Sequence, residues 1–402
     1  MNLSGVRVLD LTQYLSGPSC TLLLAGLGAD VIKVEPAPGG DASRQLPVVA
    51  GPRSTYFVQQ NRGKRSVCVD LGRPEGCELI AGLAGHCDVL IENFSAGVLA
   101  RRRLGPDDLR PRHPGLVYAS ISAYGRTGSK AHLPGYDLIG QAVAGSVALA
   151  GEPDGAPLGA GAPIADMSAG LLAFGAVLSA LYARTSTGEG QFLDISLVEP
   201  VFNMHPFQIQ APSVTGGALR QTRTGRHFGA VAPSGTYRGP EGWVVLQVLA
   251  PQWDRLCEAA AAVNLGADQR FATMEGRATY RAELVAMLEG WMQTFPSDEA
   301  LLGHLDAHRV PAAPVIDPAD AHLHPWFWER GLLTEIDDPV HGPFRVPGFP
   351  IHGTAVPRRE TEPPAPFLGQ HNTEVLSEVL GLDPAAIDEL NRQGVLQAST
   401  EG

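Results

Sequence analysis

The sequence predicts an α/β fold: a large Rossmann-like, doubly wound parallel sheet plus a smaller α/β domain. Short apolar runs recur at Val6–Leu11, Ala29–Glu35, Val67–Leu71, Asp88–Ile91 and Leu116–Ser122, with helical stretches at Ser16–Leu27 and Glu75–Ala84 between them. The first strand, helix and strand fit the length of a βαβ unit, which requires parallel pairing. After Glu199 the pattern changes to a crossing rich in Gly, Thr, Ser, Pro and Arg, then to a second set of strand and helices.

Each element has a local reason. Val6–Leu11 is apolar enough for a buried strand. Ser16-Gly17-Pro18 opens a helix with Ser16 as its cap and Pro18 in its first turn. That helix closes at Gly26 or Gly28, where glycine is expected. These glycines follow the helix rather than open it, and no GxGxxG follows Val6–Leu11, which excludes the dinucleotide fingerprint. The turn Asn61-Arg62-Gly63-Lys64-Arg65-Ser66 is either a phosphate dock before a strand or a solvated face. Asp88–Ile91 ends in Glu92-Asn93-Phe94, at the strand edge where open α/β sheets bind ligands. Tyr124–Tyr136 is a long turn-rich connection, and Tyr136-Asp137 opens a helix running to Ala150.

The stretch Gly159–Gly170, GAGAPIADMSAG, places one carboxylate, Asp166, between a small-residue approach and the uncharged run Leu171–Leu181. That run reads as a buried helix with Asp166 at its N-terminal end. Two readings stay open: a helix cap, or a carboxylate nucleophile. Gln191–Leu197 follows as a strand. Arg220, Arg223, Arg226 and His227 lie in the Ala211–Arg238 crossing, either to pair with a substrate carboxylate or as a solvated face. Trp243–Leu249 is a strand; Gln252–Val263, Tyr280–Phe295 and Asp298–His308 are helices. Pro363–Pro366 reads as a stiff linker, and Asn372–Val395 as two closing helices. The expected organisation is 1–210 for the first part of the large domain, 211–225 as linker, 226–325 for the small domain and 326–402 returning to the large one.

Composition bounds the function. A chain of 402 residues, 44% hydrophobic and 18% charged, is globular. A net charge of −12 argues against nucleic acid as the main partner. Five cysteines form no CxxC pair, which favours reduced thiols in the cytoplasm and disfavours a metal site. MNLSGVRVLDLT lacks a basic region followed by an apolar core, and the apolar runs 138–150 and 158–183 are broken by acids, Gly and Pro. The expectation is a soluble protein with no signal peptide and no membrane span.

With these stretches in view, the chain resembles the class III CoA-transferases of the CaiB/BaiF type. The matching strings are VRVLDLT…SGP, GLGADVIKVE, NRGKRSVCVDL, ENFSAGVL, GYDLIGQA, DMSAG and LGQHNTEVL, in family order and spacing. The resemblance implies a homodimer of interlocked rings that takes acyl-CoA and a carboxylic acid as substrates. It implies no tightly bound cofactor, with coenzyme A itself as substrate and product. The family's catalytic carboxylate falls on Asp166. Its CoA-binding positions fall on Leu15, Ser16, Val69, Gly72, Asn93, Phe94 and Arg101, and its active-site tyrosine on Tyr136. Oxalate-specific relatives carry an arginine where this chain has Pro36, and a glycine-rich loop that is absent here, so formyl-CoA:oxalate exchange is not favoured.

The implied chemistry is CoA transfer through aspartyl anhydride and aspartyl-CoA thioester intermediates. An Asp of ordinary pKa, about 3.9, is ionised at neutral pH and needs no general base. Amides near the glycine-rich approach are the expected oxyanion donors. The alternative is an acyl-CoA racemase of the α-methylacyl type, which needs two bases. Those racemases carry histidine where this chain has Tyr136, and His132 lies outside the matching position. Asp166–Gly170 is not a hydrolase elbow, because GxSxG requires glycine where Asp166 stands.

Overall fold

The computed structural model describes residues 2–46, 53–229, 231–356 and 361–399. Two compact units are present: Met1–Ala144 with Gly161–Met204 and His324–Gly402, and Gly145–Ala160 with His205–Leu323. Residues 145–160, which the sequence suggests for the large domain, thus group with the second unit.

The first unit is built on strands β1 (Arg7–Leu11), β2 (Asp30–Pro36), β3 (Arg65–Val69), β4 (Val89–Glu92), β5 (Val117–Ser122) and β6 (Phe192–Ser196). They lie in the order 3-2-1-4-5-6 and pair in parallel; Leu396–Gln397 adds an antiparallel edge strand to β3. Val8 stands opposite both Val31 and Val89, and Asp10 opposite Lys33 and Ile91. Side chains alternate faces along each strand, so two cores form. Val8, Val31, Val89 and Ala119 pack on one face; Leu9, Ile32, Leu90 and Tyr118 pack on the other.

Helices cover both faces. They are α1 (Ser16–Gly26), α2 (Thr55–Asn61), α3 (Pro74–Ala84), α4 (Pro106–Leu109), α5 (Asp137–Ala144), α7 (Ile164–Thr187) and α8 (Val198–Asn203), while α6 (Ser146–Leu149) belongs to the second unit. Ser16 is the first residue of α1 rather than its cap, which is Leu15. The helix expected to run to Ala150 is interrupted at Gly145, whose φ of +100° suits glycine.

Helix α7 is 24 residues long and closes on Gly188 in the left-handed conformation. Its buried stripe is Ala165, Ala169, Ala173, Val177 and Ala180, spaced for one helical face. Small side chains let it press against α1: a Cβ on Gly170 would fall 2.0 Å from Ser19 Oγ and 2.6 Å from Ser16 O. The opposite face, with Met167, Leu171, Leu172 and Tyr182, is exposed. The reading of this helix as wholly buried is therefore corrected. Absence of charge marked its length but not its sidedness.

The Pro363–Pro366 segment is pinned rather than free. Gly63 N donates to Pro364 O at 3.2 Å, Arg44 to Pro366 O at 3.2 Å, and Arg53 to Ala365 O. The closing helices Asn372–Leu380 and Pro384–Arg392 then pack into the core that holds Leu9 and Ile32. The second unit has a three-stranded antiparallel sheet, Ser234–Arg238, Trp243–Gln247 and Ala312–Pro314, with helices Ala250–Ala259, Arg281–Met292 and Asp298–Ala307 around Tyr237, Leu246, Leu288 and Trp291.

Candidate active site

The strand order reverses at β1 and β4, and open α/β sheets bind ligands beyond the carboxyl ends of such strands. A cleft of about 240 Å³ opens there. Leu15, Ser16, Asn93, Phe94, Tyr136 and Asp166, six of the residues anticipated from sequence, line it together.

The floor is the turn after β1. Tyr14 has φ +64°, a left-handed conformation that an aromatic residue adopts at a cost. Surrounding groups hold it. Asn93 accepts Gln13 N–H and donates to Gln13 C=O, both at 2.8 Å. Asp41 accepts Tyr14 N–H at 3.2 Å, and Lys33 donates to Thr12 C=O at 2.8 Å. Two fully buried ion pairs brace this turn, Lys33–Asp41 at 2.8 Å and Lys64–Asp10 at 3.0 Å. Burial disfavours the Asp10 carboxylate, but Lys64 and Lys33 together hold its pKa well below the ordinary value. Burial, only partly offset by Asp10, brings Lys64 down to about 8.

Asp166 occupies the first turn of α7, whose cap position is Pro163. It is not the cap. That task falls to Asp137, at the start of α5: its Oδ1 accepts the backbone N–H groups of Ala165 at 2.8 Å and Asp166 at 3.0 Å. Ile164 N–H donates to Ala162 O and Met167 N–H to Pro163 O. All four first-turn amides are thus engaged. The Asp166 carboxylate accepts no hydrogen bond from the described residues. Burial, with Asp137 beside it, raises its pKa from 3.8 to about 6. The expectation of an ordinary Asp is corrected, although at pH 7 the ionised form still predominates.

Several residues complete the site without a sequence signal. Tyr14 meets Tyr136 edge-on, with ring centroids 6.3 Å apart. Gln13 and Ser122 line the cleft, and the buried Ser122 hydroxyl has no hydrogen-bond partner among the described residues. The Tyr56 phenol is pushed up to about 12 by burial, then by the charges of Asp166 and Asp41.

Gly72 and Arg101 lie elsewhere, in a cavity of about 670 Å³ beyond β3 and β4 that Arg73, Arg102, Arg103 and Arg112 also line. Val69 lies in neither cavity: it is fully buried in the core and cannot present its side chain to a ligand. The basic turn at 61–66 is likewise structural. Lys64 serves Asp10, Arg62 donates to Pro347 O at 2.9 Å, and Arg65 pairs with Asp30, Glu374 and Glu378. In the second unit Arg223 donates to the carbonyls of Glu152, Pro153 and Gly155, and Arg226 pairs with Glu289 at 2.5 Å. Among the described residues, no cluster of three His, Cys, Asp or Glu side chains could hold a metal ion.

The family model for CoA-transferase family III matches residues 3–372, the span that carries both cavities. The chain belongs to CoA-transferase family III. Succinyl-CoA:mesaconate CoA-transferase from Haloarcula hispanica is 37% identical over 391 residues, covering 94% of this chain and 96% of that one. Succinyl-CoA:glutarate CoA-transferase from Homo sapiens is 33% identical over 397 residues, covering 98% and 90%. A crystal structure of a CaiB/BaiF family protein from Brucella suis superposes with a TM-score of 0.82 at 32% identity, covering 94% of this chain and all of that one. Family III membership makes this chain a CoA-transferase, with CoA thioesters as its substrates.

Proposed function

We propose that the chain moves CoA from an acyl-CoA donor to a carboxylic acid through Asp166. The observation that carries this reading is a single carboxylate without a hydrogen-bond partner among the described residues, in the cleft at the sheet's switch point. Asp166 attacks the acyl-CoA carbonyl to give a mixed anhydride and CoA thiolate. The thiolate attacks the Asp166 carbonyl, releasing the donor acid and leaving an enzyme thioester. The acceptor acid collects CoA through a second anhydride. With the α7 amides engaged, the Gln13 side-chain carboxamide, which lines the cleft, is the donor suited to the developing oxyanions, worth about 3–4 kcal/mol in such a role.

The arginine-lined cavity suits the phosphates of CoA, with Gly72 leaving room and Arg101 supplying charge. The relatives act, by name, on succinyl-CoA with glutarate or mesaconate, which supports a short dicarboxylate as acid substrate. The racemase alternative lacks support. Among the described residues, no histidine lines the cleft to act as a second base.

The exposed apolar face of α7, with Leu138 and Val143 of α5, supports a homodimer in which a second copy covers it. The length and hydropathy of α7 would also suit a membrane span, but its alanine stripe is packed inside its unit. Five unpaired cysteines suit the cytoplasm. The test is a panel of acyl-CoA donors and acids, followed by mass, with Asp166→Ala as control. Loss of transfer with CoA binding kept supports the reading; transfer by Asp166→Ala at the wild-type rate ends it.

A further inference from the structure

Asp137 does more than cap. Its Oδ1 holds two amides of α7, and its Oδ2 accepts Gln141 Nε2 at 2.5 Å. Gln141 is buried and also reaches Ala162 O at 3.3 Å, so α5 and the approach to Asp166 form one knot. A neutral Asn could keep the two α7 bonds through its single oxygen, at the loss of the Gln141 bond. A carboxylate adds a fixed negative charge beside the nucleophile.

The groups facing Asp166 do not cancel that charge. They are Asp137 and Tyr136 from the start of α5, Gln13 and Tyr14 from the turn after β1, and Tyr56 from α2. Among the described residues lining the cleft there is no Lys, Arg or His.

We propose that Asp137 is a positioning residue of the transfer reaction, fixing the first turn of α7 while its charge drives ionised Asp166 toward its neutral covalent intermediates. This rests on the Asp166 chemistry proposed above. In the first half-reaction an Asp166 oxygen bonds the acyl carbon, the C–S bond breaks, and the electron pair leaves on the CoA thiolate. The thiolate then bonds the Asp166 carbonyl carbon, and the donor acid leaves as its carboxylate. The charge that began on Asp166 departs with that acid, and Asp137 keeps its own. Repulsion between the two carboxylates therefore exists in the free enzyme and is relieved in both anhydride and thioester. Thioester and protonated acid are alike in being neutral at Asp166. The same electrostatic factor consequently sets both the acid midpoint of Asp166 and its ratio of thioester to free carboxylate. Burial is the larger cause of the raised midpoint, so Asp137 accounts for only part of it.

The test uses the full chain and the donor giving most adduct in the panel above, succinyl-CoA first. Asp137→Asn keeps an oxygen for both amides and removes the charge. Its pH midpoint for adduct formation falls below the wild-type value near 6, and its equilibrium adduct falls about tenfold for each pH unit of that fall. Asp137→Glu keeps the charge and holds the wild-type midpoint. An Asp137→Asn enzyme with the wild-type midpoint and adduct fraction overturns the proposal. So does a lowered midpoint in Asp137→Glu, which decides the matter should the Asn variant fail to fold. Absence of adduct in the wild type with every donor overturns the Asp166 reading instead, and is distinguished by that.

Discussion

Replacing the proposed nucleophile should make the protein more stable. Asp166 is half-buried, beside another carboxylate and without a hydrogen-bond donor among the described residues, so folding disfavours its ionised form. A rise from 3.8 to about 6 corresponds to about 3 kcal/mol of destabilisation. The carboxyl is partly open to the cleft, where solvent screens it, so about 1–3 kcal/mol is expected. The sign follows from proton counting. Between pH 3.8 and about 6 the unfolded chain has lost this proton and the folded chain retains it. Stability therefore falls as pH rises through that window and is level above it, as far as this group is concerned. Asp166→Asn has no such penalty. Urea unfolding at fixed protein concentration should show the variant more stable at pH 7.5, with the advantage gone near pH 4. Equal stabilities at pH 7.5, or an advantage unchanged at pH 4, would refute the reasoning.

Three further outcomes follow from packing and charge. Asn93→Ala removes both hydrogen bonds to the Gln13 backbone; a loss of about 1–3 kcal/mol in urea unfolding, with slower transfer, is expected as the Tyr14 turn relaxes. Gly170→Ala puts a methyl group 2.0 Å from Ser19 Oγ, so α1 and α7 must separate; calorimetry should show a cost of about 1–3 kcal/mol. Arg101→Ala should raise KM for the acyl-CoA severalfold and leave kcat within about twofold, as loss of a contact made equally in ground and transition states requires. Steady-state kinetics over a range of salt checks it.

The sheet was legible because β1 to β5 are buried on both faces and read as continuous apolar runs between helices. Asp166 was legible for a related reason: one charge interrupts a long uncharged stretch. Its environment was not. The cap comes from Asp137, 29 residues upstream of Asp166, and a side chain bonding a remote backbone leaves no periodic trace. The turn at 61–66 looked like a phosphate dock or a solvated face because the partner of Lys64, Asp10, is 54 positions away in sequence. Val69 followed the string match, yet strand alternation turns its side chain into the core. Tyr14 was overlooked because only its backbone, at φ +64°, marks it as unusual.

The most direct test of the central claim is the mass of the peptide Ile164–Ala173 after a rapid quench with acyl-CoA donor. The account predicts a gain equal to CoA less one water, mapped to Asp166 and absent from Asp166→Ala. Transfer that proceeds while this peptide keeps its unmodified mass at every quench time would contradict it.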